Sequence, residues 1–448
     1  MGSRLPIFVI AGASQTVLIL GAGLTGSAAA SLLTEESHRV TLLDFLNWED
    51  GYKTDKNDAM PMTFGGHGET SRAIHPVEQD AALRADRTIP LEFLLPDGQT
   101  AAYFPARLPG ILQWIAGLSR FEGLTRRDRW RLLTYVERIW EGTESLPADL
   151  DNRTADEWLA SIGQSPESRT YIWNPLGLWL TGNGLERLAG SVFIRQLSVL
   201  FLGKARDASL TYRYGSIGDR LIGPMRHALE RQGAQVLRQT EPPLLRIGPR
   251  GIEEVRLHDG GSLRAQWYIA ALPYRKLLAL LPEQLLARYA YFAQLAELEP
   301  LPEVMVEFRR PSTAPFPRLV LLGGELFHYL VVAPSGPNET TYRLSMIGHS
   351  PLTESTDDSL LRLGYEELRR IFPHGTPRHD QSGVVHRDDH AALSLRPGAT
   401  LRRPLQQSPL PNLLLAGPWT DTGWPANVES AIASARRCTD IIRGRIAG

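Results

Sequence analysis

One cysteine occurs in 448 residues. Cys438 therefore has no internal disulfide partner and no thiol companions for a zinc site, and the composition suits a reducing, cytoplasmic compartment. Charge of one sign is lacking as well: 48 Lys and Arg stand against 49 Asp and Glu. That balance argues against a polyanion-binding surface, so nucleic acid is not an expected partner. No long apolar run survives inspection. The N-terminal "LPIFVIAGAS" is broken by Pro6 and Gly12, and the apolar residues up to Ala30 are divided by glycines at turn positions, so no membrane span is predicted. Gly-x-Ser-x-Gly, His-Glu-x-x-His and Cys/His metal spacings are also missing. "VVHRDDH", Val384 to His390, offers two His and two Asp, yet reads as a solvated turn because no second ligand group accompanies it. What remains is 43% hydrophobic and 22% charged, the balance of an ordered chain. Its length predicts two domains, with the chain crossing between them more than once.

Two stretches carry chemistry. "VLIL", Val17 to Leu20, is a strand of the kind buried on both faces, and Gly21, Gly23 and Gly26 follow in G-x-G-x-x-G spacing. The first glycine allows a tight turn, the second lets a pyrophosphate approach the backbone, and the third lets a helix lie close to the strand. That helix, entered through Leu24 and Thr25, aims its positive end at the phosphates. "RVTLLD" reads as a second strand ending at Asp44, eighteen residues after Gly26, placed to accept hydrogen bonds from a ribose diol. The pattern admits FAD or NAD. Near the other end, "LLLAGPWTDTGWPANVESAIASA" reads as a buried strand, a broken loop and a small-residue helix from Pro425 or Ala426.

Between them, "GDRLIGPMRHALERQGAQV" reads as a helix leading to a strand, and "IEEVRLHDGGSLRAQWYIAALP" as a hairpin turning at His258 to Gly261. "FGGHGE" presents Gly65, Gly66 and His67, either for close backbone approach to a ligand or as a surface loop. Ala106 to Trp140 interleaves apolar residues with Arg120, Arg126, Arg127, Arg129 and Arg131. It reads as a helical pair that packs on its own domain or dips into lipid, since an amphipathic face does not reveal what it faces.

The two end stretches resemble the flavin-containing amine oxidase and phytoene desaturase superfamily, whose C-terminal motif runs approximately L-A-G-D-x-T, then T-G-x-P-A-x-x-E-G-A. "TADEWLASIG", "WNPLGLWLTGNGLERLAG", "ERQGAQV", "AALPYRKLLALLPE" and "GWPANVESAIASA" are most similar to its squalene-associated branch, typified by hydroxysqualene dehydroxylase of hopanoid biosynthesis. The resemblance implies FAD, and an α/β fold in which a discontinuous Rossmann-like FAD-binding domain (14–70, 215–275, 385–448) carries an inserted α+β substrate domain (71–214, 276–384). By position it implies that Gly21, Gly23, Leu24, Thr25 and Gly26 hold the pyrophosphate and Asp44 the ribose. Gly51 and Lys53 would help at the diphosphate, and Leu244 would flank the adenine. Gly65 and Gly66 would approach the flavin, with Gly417, Trp419, Thr420, Trp424, Asn427 and Val428 near the ribityl chain and ring. The sequence departs from the motif at Pro418, where the family has Asp, and at Ser430, where it has Gly; Asp44 replaces the more usual Glu.

The implied activity is hydride transfer at flavin N5 on a long isoprenoid: dehydroxylation of hydroxysqualene to squalene, or desaturation of squalene or a carotene precursor. His67 is the candidate proton donor, and Trp419 and Trp424 are candidate channel walls. The implied partners are a hydrophobic small molecule, an electron partner that the sequence does not identify, and peripheral contact with the inner membrane face. An amine or protoporphyrinogen-type oxidase and a degenerate, non-enzymatic relative are the competing readings.

Overall fold

The computed structural model describes residues 14–45, 62–74, 86–106, 108, 111–204, 206–311, 316–324, 326–336, 339–372 and 383–447. A five-stranded parallel sheet organises the cofactor side, in the spatial order Leu413–Leu415, Trp267–Ala270, Thr16–Leu20, Arg39–Asp44, Gln235–Arg238. Its strands come from distant parts of the chain; the central ones read as apolar runs because both faces are covered, while the edge strand Gln235–Arg238 keeps polar, exposed ends. On one face Val17, Ile19 and Leu42 meet the helix Leu24–Glu35 and the closing helix Val428–Ala447. Small residues at that contact, Ala28 and Ala29 against Ala435 and Cys438, bring the helices close to the sheet. Burial pushes the Cys438 thiol well above its ordinary range, so it is an inert packing residue.

The other face, through Leu18, Leu20, Tyr268 and Ala270, packs on the expected hairpin and on the helices Tyr274–Leu280 and Glu283–Arg288. The hairpin is part of a three-stranded antiparallel sheet, Leu244–Gly248, Gly251–Arg256 and Ser262–Leu263. The stretch 276–298, expected with the substrate domain, thus sits against the cofactor sheet.

A seven-stranded sheet forms the second body, in the order Val384–Leu393, Pro300–Pro311, Glu339–Ile347, Tyr329–Gly336, Arg318–Leu322, Leu91–Leu94, Thr100–Tyr103. Its outer face, with Val304, Val306, Phe308 and Leu344, packs on the helix Asp357–Ile371. Its inner face, with Phe93, Leu319 and Leu321, packs on the helices between 111 and 201. The reading of "VVHRDDH" as a turn is corrected here: it is the outer part of an edge strand paired to Pro300–Pro311. Exposed His386, Arg387 and Asp389 reflect a strand with solvent at its edge. This strand crosses the expected boundary at 384/385 and joins the substrate-side sheet. No cluster of three metal-ligating residues occurs among the described residues.

Ala106 to Trp140 yields the helices Ile111–Arg120 and Arg126–Trp140, the second capped by Thr125, whose side chain accepts from Asp128 N at 3.1 Å. Trp114, Leu118, Leu132 and Tyr135 are buried, while Leu112, Ile115, Trp130 and Trp140 are exposed. Among the described residues no helix is long and apolar enough to cross a membrane.

Candidate cofactor and substrate site

The glycine turn is shaped by contacts that only glycine permits. Gly21 has φ +102°, and a Cβ there would lie 2.4 Å from the Ala271 carbonyl oxygen. A Cβ on Gly26 would lie 1.9 Å from the Gly21 carbonyl oxygen, so the helix sits directly on the turn. Gly23 differs: a Cβ there would meet nothing within 4 Å. It caps the helix without a side-chain hydrogen bond, and Leu24 and Thr25 follow in a first turn free of acidic residues. An open space in front of an uncapped helix N-terminus fits a diphosphate.

Asp44 ends the second strand beside this turn. Burial raises its carboxyl pKa, while Arg226 and Arg238 pull it back. Arg226 was not singled out from sequence, yet its Nη2 donates to Ala22 O at 2.6 Å and lies 3.4 Å from Asp44 Oδ2. It ties the turn to Asp44, the candidate ribose-binding carboxylate, from the helix Gly223–Arg231; no sequence signal separates it from Arg231 of the same helix. Gly51 and Lys53 lie outside the described residues. Leu244 opens the antiparallel sheet with its side chain 69% exposed.

The closing loop is built from behind. Gly417 N donates to Ser434 Oγ at 2.9 Å, and a Cβ on Gly417 would lie 2.4 Å from Trp419 Nε1. That indole turns inward: Trp419 is buried, and its Nε1 donates to Leu272 O at 2.9 Å. Its role is therefore loop packing, which corrects its reading as a channel wall. Thr420 is fully buried and bonds back to Gly417 O at 2.8 Å. Asn427 Oδ1 accepts from Ser430 N at 2.9 Å, just before the closing helix begins at Val428.

Arg403, buried and unremarked in the sequence, organises this loop. Its guanidinium donates to the carbonyls of Trp424 (2.6 Å), Thr420 (2.6 Å), Pro418 (2.8 Å) and Trp419 (3.4 Å). Burial lowers its pKa to about 10, which leaves it charged at neutral pH. Ser430, one departure from the motif, donates to the carbonyl of Pro418, the other, at 3.2 Å. The two substitutions thus meet each other and share Arg403.

Gly65 and Gly66 do make a close approach, but to another backbone segment. Gly65 N donates to Ser209 O and Gly66 N to Asp207 O, each at 3.0 Å, and a Cβ on Gly65 would lie 1.8 Å from the Arg206 carbonyl oxygen. The turn is not a loose surface loop. Glu429 fastens its far side, accepting from Glu69 N (2.9 Å), Thr70 N (2.8 Å) and Thr70 Oγ1 (2.7 Å). His67 is thereby held edge-on to Trp424, ring centroids 5.1 Å apart.

Burial pushes the His67 imidazole down to about 4. At neutral pH it has no extra proton to give, so its reading as a proton donor to a leaving hydroxyl is set aside. A folded pKa below the ordinary 6.5 means that the unfolded chain binds the proton first. The stability contributed by neutral His67 is present above pH 6.5 and is lost as pH falls towards 4. His67→Gln is therefore expected to shrink the drop in unfolding temperature between pH 7 and pH 5. An unchanged drop, measured by calorimetry, would contradict the assignment.

Residues 61–443 match the family of flavin containing amine oxidoreductases, and the chain belongs to it. It is an FAD-dependent oxidoreductase, and the glycine turn, Asp44 and the closing loop fit that cofactor. The chain is 23% identical over 457 residues to the 15-cis-phytoene desaturase of Solanum lycopersicum, covering 95% of this chain and 77% of that one. It is 20% identical over 476 residues to the zeta-carotene desaturase of a Synechocystis species, covering 95% and 96%. In fold it is similar to cyclohexylamine oxidase from Brevibacterium oxydans, with TM-score 0.64 and 17% identity over 97% of this chain and 100% of that one. An oxidoreductase from Methanosarcina mazei superposes with TM-score 0.66 at 14% identity, covering 95% and 100%.

Proposed function

We propose that this enzyme acts on a long hydrophobic isoprenoid, by dehydroxylation of hydroxysqualene to squalene or by desaturation of squalene or a carotene precursor. The supporting observation is the wall of the site. Trp424, edge-on to His67, packs against the same apolar cluster as Trp179, Leu180, Tyr329 and Val331 of the substrate side, so the closing loop meets the substrate side through apolar side chains. The similarity to carotenoid desaturases points the same way. When bound, the flavin supplies hydride transfer at N5, and the protein supplies orientation and exclusion of water. The test is anaerobic incubation of the flavin-loaded enzyme with hydroxysqualene, and separately incubation with squalene and phytoene under oxidising conditions, with product analysis. Turnover of one of them is expected. Oxygen-dependent turnover of a polar amine instead would overturn the reading.

The exposed face of the helical pair suits peripheral contact with a membrane. Leu112 is 53% exposed and Trp130 and Trp140 are each 71% exposed, beside Arg120, Arg126, Arg127 and Arg129. The one acid in the connecting turn is Glu122, and the Asp128 carboxylate is turned inward to Ser165, whose N donates to it at 2.8 Å. Apolar residues rimmed by arginines bind anionic head groups. Replacing Trp130 and Trp140 together by Ser is expected to lower co-sedimentation with anionic vesicles by about threefold or more, with little change on neutral vesicles. Equal sedimentation of both forms would refute it.

A further inference from the structure

The inner face of the seven-stranded sheet is apolar where it meets the helices, through Leu319, Leu321 and Val331. It also carries polar groups that the cofactor site does not use, among them a cluster around Glu303. Tyr329 Oη donates to Glu303 Oε1 at 2.7 Å, which places both side chains on this face. Ser345 lies directly across from Tyr329 on one neighbouring strand and across from Met305 on the other. It is 1% exposed, and its hydroxyl stands beside the Glu303 carboxyl, where it favours the charged form.

The contrast with Glu307, further along the same strand, is informative. Glu307 is paired with Arg309 at 2.7 Å and Arg343 at 2.6 Å, and these cations hold its carboxyl below the ordinary range although burial opposes them. Glu303 has no basic partner among the described residues. Burial pushes its carboxyl up, and Asp388 adds to that, against the weaker pull of two hydroxyls. A carboxyl held towards its acid form can both donate and accept a hydrogen bond.

Glu303 and Tyr329 each keep accessible surface, and Tyr329 packs on the cluster that contains Trp179 and Trp424. They therefore stand on the apolar side of the sheet that the isoprenoid reading gives to the substrate. A buried carboxyl whose partners are hydroxyls and not a cation costs stability in a largely apolar wall unless something uses it.

We propose that Glu303, Tyr329 and Ser345 form the recognition point for a hydroxyl group on an otherwise apolar substrate, selecting an isoprenoid alcohol over the hydrocarbon of the same skeleton. This rests on the isoprenoid reading and sharpens it towards the dehydroxylation branch. A site built to bond a hydroxyl discriminates against the analogue lacking it, because its buried polar groups are then left unpaired.

The experiment is fluorescence titration of the FAD-loaded, full-length protein with hydroxysqualene and with squalene at one fixed detergent concentration. The alcohol is expected to bind about tenfold tighter or more, the equivalent of one good hydrogen bond. Glu303→Gln, Tyr329→Phe and Ser345→Ala should each erode that ratio while leaving squalene affinity unchanged. Ser345→Ala removes a single hydroxyl and no ionisable group, so it keeps the test open if Glu303→Gln does not fold. Equal or weaker binding of the alcohol by the unmodified protein overturns the inference and leaves the isoprenoid reading standing. Selectivity that persists in all three folded variants overturns the assignment to these residues. Binding of neither compound overturns the isoprenoid reading and the inference together.

Discussion

Gly23→Ala is expected to leave the unfolding temperature of the flavin-free protein unchanged and to weaken FAD binding by about tenfold or more, the cost of intruding one methyl on a close backbone contact. Gly23 has φ −71° and ψ −167°, a conformation that alanine adopts freely, and its missing Cβ faces open space. Folding therefore has no reason to resist the change. The diphosphate does, because that space is where it must come close to the helix N-terminus. Gly26→Ala should behave oppositely. Its Cβ would sit 1.9 Å from the Gly21 carbonyl oxygen, a backbone atom that cannot step aside without moving the first strand or the helix. The expected result is a loss of about 3 kcal/mol or more, visible without any cofactor. Calorimetry of the apo-proteins and flavin absorbance after gel filtration separate the two outcomes. Equal stability losses in both variants would show that Gly23 is an ordinary turn glycine.

Arg403→Met is expected to abolish flavin retention and to destabilise the protein by about 3–5 kcal/mol, because several buried carbonyls lose a charged donor at once. Methionine is similar in length but cannot donate, so the carbonyls of residues 418, 419, 420 and 424 lose their common donor. Each buried carbonyl left unsatisfied costs about 1–3 kcal/mol, less where the loop relaxes to find water. Arg403→Lys should recover part of the stability and less of the flavin binding, because an ammonium cannot span four carbonyls with the geometry of a guanidinium fork. Retention of full flavin absorbance by Arg403→Met would show that the loop's other hydrogen bonds, through Ser430, Ser434, Gln406 and Arg437, suffice to hold it. The same network holds the proline that stands where the motif has aspartate. At position 418 a proline offers only its carbonyl to the protein, and Arg403 and Ser430 both take it.

The glycine turn was legible because its parts are local: strand, turn and helix lie within about twenty residues, and the steric demand on each glycine comes from neighbours a few positions away. Asp44 was legible for the same reason, but its partner Arg226 was not, since nothing in "GPMRHAL" shows that one arginine reaches back across 182 residues to Asp44. Trp419 and Trp424 are both aromatic residues in one loop. Their opposite roles depend on which way the backbone turns, and that is decided by Arg403 and by the Leu272 carbonyl.

By itself the sequence determined the first strand–turn–helix–strand unit and the kind of ligand its turn accepts, because these follow from short-range periodicity and from glycine sterics; the family came from the resemblance of the two end stretches. Only the tertiary structure decided that His67 is neutral, that residues 384–393 complete the substrate-side sheet, that Gly65 serves a backbone contact, and that Glu303 stands beside a tyrosine while Glu307 stands between arginines. Burial and partnership set the protonation state and role of a side chain, and both are properties of contacts between segments that the linear sequence keeps far apart.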